Sequence, residues 1–255
     1  MIDIREIETI LCATLDRAQS LGYSGYSKFD ALNSPVVRAL SFNFWPFRLL
    51  WTQLIMRAPI NLRPLLCVRK GVNPESPALF ARANLDLLSM SSTRPLKERA
   101  ASCLDWLMAN TSREKGDCHG SCWGYHHPWQ SPGFYQPPGY PNCYITVIAG
   151  EALLHGFRQL DIEDYLITAR SAVDFILYDL DVLHETAEEK CISYVPKMKT
   201  KFAVININAQ AAAFITRVGI LTGETFLLDQ ARKLLSFVSR FQTSSLTTVG
   251  ITRRT

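Results

Sequence analysis

Apolar positions recur every three or four residues through most of the C-terminal half of the chain. From Tyr144 to Leu160, Ile145, Ile148, Ala149, Ala152, Leu153 and Phe157 fall on one helical stripe, and residues 161–164 break it. A second stripe, Leu166, Ala169, Val173, Phe175, Ile176 and Leu180, predicts a returning helix over 165–180, so the pair forms an antiparallel hairpin. The layout then returns: 209–221 reads as a helix, Thr222-Gly223-Glu224 as a turn and 226–241 as the returning helix. At an offset of 62, Leu166, Ala169, Arg170 and Phe175 meet Leu228, Ala231, Arg232 and Phe237. A period of that length is one helical hairpin plus its connector, and such units bury their apolar faces by stacking on each other.

Upstream, helices are predicted over 35–56, over 84–90 with the residues before it, and over 95–110, with a Pro-rich stretch at 59–77 between the first two. The β-branched and aromatic runs 191–196 and 201–206 flank a short polar turn and predict a small β-hairpin near 190–206. The expected fold class is all-α. The expected organisation is one domain over 1–255, with an N-terminal helix and linker at 1–33, helical hairpins over 34–242 and an aberrant or disordered tail at 243–255.

Composition narrows the class. The 255 residues are 47% hydrophobic and 20% charged, enough to bury a substantial core and incompatible with disorder as the main state. Arg48, Gln53, Arg57 and several prolines interrupt the apolar runs, so no spanning helix of roughly 20 apolar residues is expected. Asp3, Glu6 and Glu8 stand where a signal peptide carries basic residues, which points to a cytoplasmic protein. A net charge of +4 is too weak to imply nucleic acid as a partner. The seven cysteines are an odd number, spread through helical and loop segments, and read as small buried side chains in a reducing compartment. No phosphate-cradling glycine loop and no nucleophile elbow is present, which disfavours nucleotide-dependent and serine-hydrolase chemistry.

The chemistry is concentrated in residues 117–144, a long loop with three of the five histidines, two of the five tryptophans and four of the nine tyrosines. Aromatic faces beside hydroxyl and imidazole groups suit sugar rings, whose C–H faces stack while their hydroxyls take hydrogen bonds. Trp123 and Trp129 are the candidate stacking residues. Asn142 and Tyr144, at the start of one predicted helix, and Asn206 and Asn208, at the start of its repeat equivalent, are candidate binding residues, since stacked hairpins bring those helix starts to one mouth. Paired carboxylates for glycoside hydrolysis are scarce, so acid and base roles fall to His126, His127, Tyr135 and Tyr140, as in lyase or epimerase chemistry, with Lys201 also of a suitable type. Cys118, His119, Cys122, His126, His127 and Cys143 have poor spacing for zinc, and neither metal nor cofactor is expected. Between Ala31 and Asn73 there is no acidic residue, while arginines interleave with Phe42, Phe44, Trp45, Phe47 and Trp51. Residues 38–70 therefore form a possible peripheral contact with a membrane surface or an acidic glycan.

Four segments, RAPINLRPLLCVRKGVNPESPALF (57–80), CWGYHHPWQ (122–130), GYPNCYITVIAGEALL (139–154) and YLITARSAVDFILYDL (165–180), resemble bacterial α/α-toroid proteins of the six-hairpin glycosidase-like and terpenoid-cyclase-like group associated with exopolysaccharide biosynthesis. The resemblance implies an (α/α) toroid of helical hairpins and a carbohydrate-related function with a saccharide or polysaccharide partner. The group hosts hydrolases, lyases, epimerases and cyclases, so it assigns no reaction. A non-catalytic glycan-binding or scaffold subunit and a terpenoid-cyclase-like or prenyl-binding toroid are the alternatives; the acidic motifs of the latter are absent. Similar chains are sometimes labelled delta-aminolevulinic acid dehydratase, a TIM-barrel activity with which this helical pattern disagrees. Relative to the group, the chain departs after Gln242 into TSSLTTVGITRRT, and an incomplete, C-terminally truncated toroid is expected.

Overall fold

In a computed structural model, which describes residues 4–90, 94–198, 202–241 and 253–254, the chain divides into two compact units. One comprises Met1–Leu107 with Tyr125–Pro138, the other Met108–Gly124 with Gly139–Thr255. Residues 199–201, and with them Lys201, lie outside the described residues, as does most of the 243–255 tail.

The N-terminal unit begins with α1 (Ile4–Ser20) and a 3₁₀ turn at Asp30–Asn33. The expected helix over 35–56 is two helices, α2 (Pro35–Leu40) and α3 (Trp45–Arg57). Pro46 explains the break, because inside a continuous helix it would lack an N–H and press its ring on the carbonyl four residues back. The chain instead turns through Phe42 and Asn43, both left-handed at φ 48° and 54°. Ser34 caps α2 by accepting the Val37 N–H at 3.1 Å, with Pro35 at the first helical position. Ala31, Leu32, Val37 and Ile55 form a buried cluster with Trp51 and Leu66 packed against it. Beside it Asp30 is fully buried, and its carboxylate takes Arg63 Nε at 2.8 Å and the Ser27 N–H at 2.9 Å, so the buried charge is paired and hydrogen-bonded. The unit continues with α4 (Glu75–Met90) and α5 (Arg94–Ala109), and includes a short antiparallel hairpin, β1 (Trp129–Gln130) with β2 (Tyr135–Gln136).

The C-terminal unit has the short α6 (Arg113–Gly116) and two helical hairpins, α7 (Cys143–Leu160) with α8 (Glu163–Asp174), and α9 (Ile205–Thr222) with α10 (Thr225–Ser239). Each helix of the second pair starts 62 residues after its counterpart, the offset of the sequence repeat. α7 and α9 pack so closely that a Cβ on Gly150 would lie 2.3 Å from the Phe214 ring. Residues 175–179 close α8 with a π-helical turn. A small hairpin is present but lies earlier than expected, formed by β3 (Val182–Glu185) with β4 (Lys190–Ile192). The run starting at Cys191 therefore pairs with residues before it; the run after it contributes β5 (Phe202–Ala203), which pairs with β6 (Arg253–Arg254). The mainly helical architecture is that of an all-α fold of helical hairpins. Among the described residues no helix is long and apolar enough to cross a membrane. Of the seven cysteines, Cys103, Cys122, Cys143 and Cys191 are buried, Cys118 is half-buried, and Cys12 and Cys67 are exposed.

Candidate functional site

The 117–144 loop is shared between the units, and so are the residues singled out in it. His126, His127, Trp129 and Tyr135 belong to the N-terminal unit; Trp123, Tyr140, Asn142, Tyr144, Asn206 and Asn208 belong to the C-terminal one.

In the N-terminal unit, residues 125–134 form a run of rings in contact. Tyr125 stacks on His127 at 5.5 Å between centroids and lies 5.9 Å from Trp129, which meets Phe134 edge-on at 5.6 Å. The β1–β2 hairpin fixes this run: Ser131 N–H donates to the Phe134 carbonyl at 2.9 Å, and the buried Gln130 amide donates to the Ser131 and Phe134 carbonyls. Arg48 of α3 ties the hairpin to the helix, donating to Gln130 Oε1 at 3.2 Å and lying 4.4 Å from the centroid of the Tyr135 ring. Tyr125, Trp129 and Phe134 are half-buried and Tyr135 is 40% exposed, so part of each side chain reaches solvent.

The two histidines beneath this surface differ. His127 is buried, with Nδ1 3.1 Å from the Pro128 carbonyl; burial lowers its pKa, partly opposed by that hydrogen bond and by the charge of Asp30. His126 meets His127 edge-on, lies against Gly71 and has both ring nitrogens buried without a hydrogen-bond partner. Burial, aided by His127, lowers its pKa from 6.5 to about 4, so the ring is neutral at pH 7. Gly71 is held to Gly25 by a pair of backbone hydrogen bonds of 3.0 and 3.1 Å and borders a cavity of about 220 Å³, lined also by Tyr23, Tyr26 and Asn73.

In the C-terminal unit the starts of α7 and α9 meet the same short segment, the end of β4 and the two residues after it. Cys143 N–H, the first of α7, donates to the Tyr194 carbonyl at 2.9 Å, and Asn208, in the first turn of α9, grips Ile192. Asn142 caps α7, taking the Ile145 N–H on Oδ1 at 3.0 Å. Asn208 is fully buried: Oδ1 accepts the Ile192 N–H at 2.9 Å, and Nδ2 donates to the Ile192 and Val204 carbonyls. Thr146, 62 residues earlier, does the same for the loop residue Trp123, its hydroxyl accepting the Trp123 N–H at 3.1 Å and donating to the Trp123 carbonyl at 3.4 Å. Trp123 is fully buried, Tyr144 is half-buried and Asn206 is exposed. The Tyr140 hydroxyl donates to the Pro196 carbonyl at 3.1 Å, and burial raises its pKa.

One pair of reactive groups has no counterpart in the sequence reading. Asp179, with its side chain only 6% exposed, accepts the backbone N–H of His119 and of Gly120 and meets His119 Nδ1 at 2.8 Å, while the His119 ring projects into solvent. The two residues are sixty apart, so no local spacing announces them. Cys118 and Cys122 hydrogen-bond to each other, and burial raises the pKa of both thiols. Among the described residues no three His, Cys, Asp or Glu side chains converge as a metal ion requires.

Comparison with known proteins places the fold. No family model and no curated protein matches the chain. Among solved structures, it is similar to the cellobiose 2-epimerase from Bacillus thermoamylovorans, with a TM-score of 0.52 at 7% identity over 84% of this chain and 59% of that one. The GH76A α-1,6-mannanase from a Salegentibacter species gives 0.49 at 15% identity, over 88% of this chain and 63% of that one. A D-mannose isomerase gives 0.47 at 14% identity, over 64% of this chain and 39% of that one. The likeness to the epimerase gives the fold as that of the α/α toroids, and the chain spans less than two-thirds of the length of each of these three proteins.

Proposed function

We propose that this is a carbohydrate-related toroid protein of polysaccharide biosynthesis or modification, exopolysaccharide included, which binds a saccharide on the aromatic surface of residues 125–136. The observation that carries the reading is the half-exposed run Tyr125, Trp129, Phe134 and Tyr135, held rigid by the β1–β2 hairpin and by Arg48. Rings fixed in this way present flat apolar faces at little entropic cost, and the neighbouring arginine supplies donors for hydroxyl or carboxylate groups of the sugar. The likeness in fold to a cellobiose 2-epimerase makes disaccharides the first ligands to try.

A specific observation favours binding without turnover as the second reading. Of the acid and base candidates, Tyr140 has its proton committed to Pro196, His127 is engaged by Pro128, and His126, its ring nitrogens buried, has a pKa of about 4, too low for an efficient base at neutral pH. Tyr135, 40% exposed, is the candidate left open, so a catalytic version of the proposal rests on it or requires the 126–127 segment to open when substrate binds.

Isothermal titration of the full chain with cellobiose and with α-1,6-linked manno-oligosaccharides tests the first reading. Trp129→Ala and Tyr135→Ala are each expected to weaken binding by about tenfold, in line with the energy of a lost aromatic contact. Binding that neither substitution changes removes the surface from the site. Prolonged incubation followed by chromatography then separates the readings: a new product establishes an enzyme, and unchanged ligand with measurable affinity favours the binding protein.

A further inference from the structure

An exposed apolar surface of the N-terminal unit lies where α2 turns into α3. Phe42 is 76% exposed, and its ring meets Phe47 edge-on at 6.4 Å; Phe44 meets the same ring at 5.4 Å. On α3, Phe47, Leu50 and Leu54 recur at helical spacing and are all exposed, on the side of the helix opposite the buried Thr52 and Ile55. The rings and leucines thus form one continuous apolar surface, whereas solitary exposed residues would call for no explanation.

Charge says what covers it. Arg38 on α2 and Arg57, one turn beyond Leu54, are exposed, and so are Arg69 and Lys70. No acidic residue lies between Ala31 and Asn73, and the carboxylate just before, Asp30, is fully buried against Arg63. We infer that this face is a peripheral membrane-binding surface, which inserts Phe42, Phe44 and the α3 leucines into the headgroup region of an anionic bilayer while the arginines take its phosphates. A bilayer supplies both hydrocarbon for the rings and counter-charge for the guanidinium groups. A second copy of the chain docking by the same face would not: residues 31–73 hold no carboxylate, so a two-fold contact of this face brings no counter-charge to Arg38 and Arg57. The inference is independent of the saccharide reading.

Co-sedimentation of the full chain with vesicles of equal parts phosphatidylcholine and phosphatidylglycerol, and with phosphatidylcholine alone, tests it. Two double variants leave the fold intact by design. In Phe42→Asn/Phe44→Ser, asparagine tolerates the left-handed backbone of position 42, and serine suits the extended N-cap position that Phe44 occupies without a capping hydrogen bond. In Arg38→Gln/Arg57→Gln only exposed charge is lost. The expected result is binding to the anionic vesicles alone, weakened at least tenfold by the aromatic variant and about 25-fold by the arginine variant. Absence of binding to anionic vesicles, or binding that neither variant reduces, overturns the inference. So does a concentration-dependent dimer that the aromatic variant dissociates, since that makes the surface a protein interface.

Discussion

Asn208 is the side chain whose removal the structure prices most directly. It is fully buried, it holds the Ile192 N–H and carbonyl through two hydrogen bonds, and its third bond, to Val204, duplicates one that its own backbone N–H already makes to the same carbonyl at 3.3 Å. Asn208→Ala therefore deprives one buried donor and one buried acceptor of their side-chain partner. At about 1–3 kcal/mol for each buried group left unsatisfied, the expected loss is about 3 kcal/mol. Thr146 indicates the rescue, because a threonine hydroxyl at the equivalent position of the first hairpin both accepts from and donates to the backbone of one residue, Trp123. Asn208→Thr should recover roughly half of the loss, while Asn208→Val, matched in shape but unable to hydrogen-bond, should not. Urea unfolding gives the stability change, and amide exchange at Ile192 gives the local one: about 3 kcal/mol corresponds to exchange faster by roughly 150-fold if the amide opens locally. If the threonine and valine variants are equally destabilised, or if Ile192 exchange is unchanged in the alanine variant, the staple does not hold the strand and the reasoning fails.

Two further outcomes are expected. Gly124→Ala places a Cβ 1.9 Å from the Tyr140 carbonyl oxygen, a backbone atom that cannot step aside, and should cost about 3 kcal/mol or more in a thermal melt; Gly25→Ala, which meets nothing within 4 Å, should stay near the parent and serves as its control. His126 makes stability pH-dependent: its folded pKa of about 4 lies below the ordinary 6.5, so the unfolded chain binds the extra proton. The stability it contributes is fully present above about pH 6.5 and is lost as pH falls toward 4; His126→Phe should flatten that part of the urea midpoint profile, and an unchanged slope would show that another group titrates there.

The helical hairpins of the C-terminal unit were within reach of the sequence because a helix is specified by residues three and four apart, and a repeat by the recurrence of that pattern. Hence the stripes beginning at Tyr144 and Leu166 and their copies 62 residues on coincide with α7 to α10. Where a decision rests on a single residue the reading blurred, as at Pro46, whose missing N–H splits α2 from α3 despite an unbroken apolar run.

What the sequence determined by itself was therefore local: which segments are helical, where they repeat, that 117–144 gathers rings and imidazoles, and that 31–73 is basic and free of acid. The tertiary structure alone decided the partners. It paired β4 with β3, turned Asn208 inward onto Ile192, brought Asp179 to His119, tied Tyr140 to Pro196 and divided the rings of the loop between two units. These contacts join residues that are mostly 16 to 60 positions apart. Whether a polar side chain becomes a staple or a binding group depends on the desolvation and hydrogen-bond partners that folding brings to it, and no spacing along the chain encodes those.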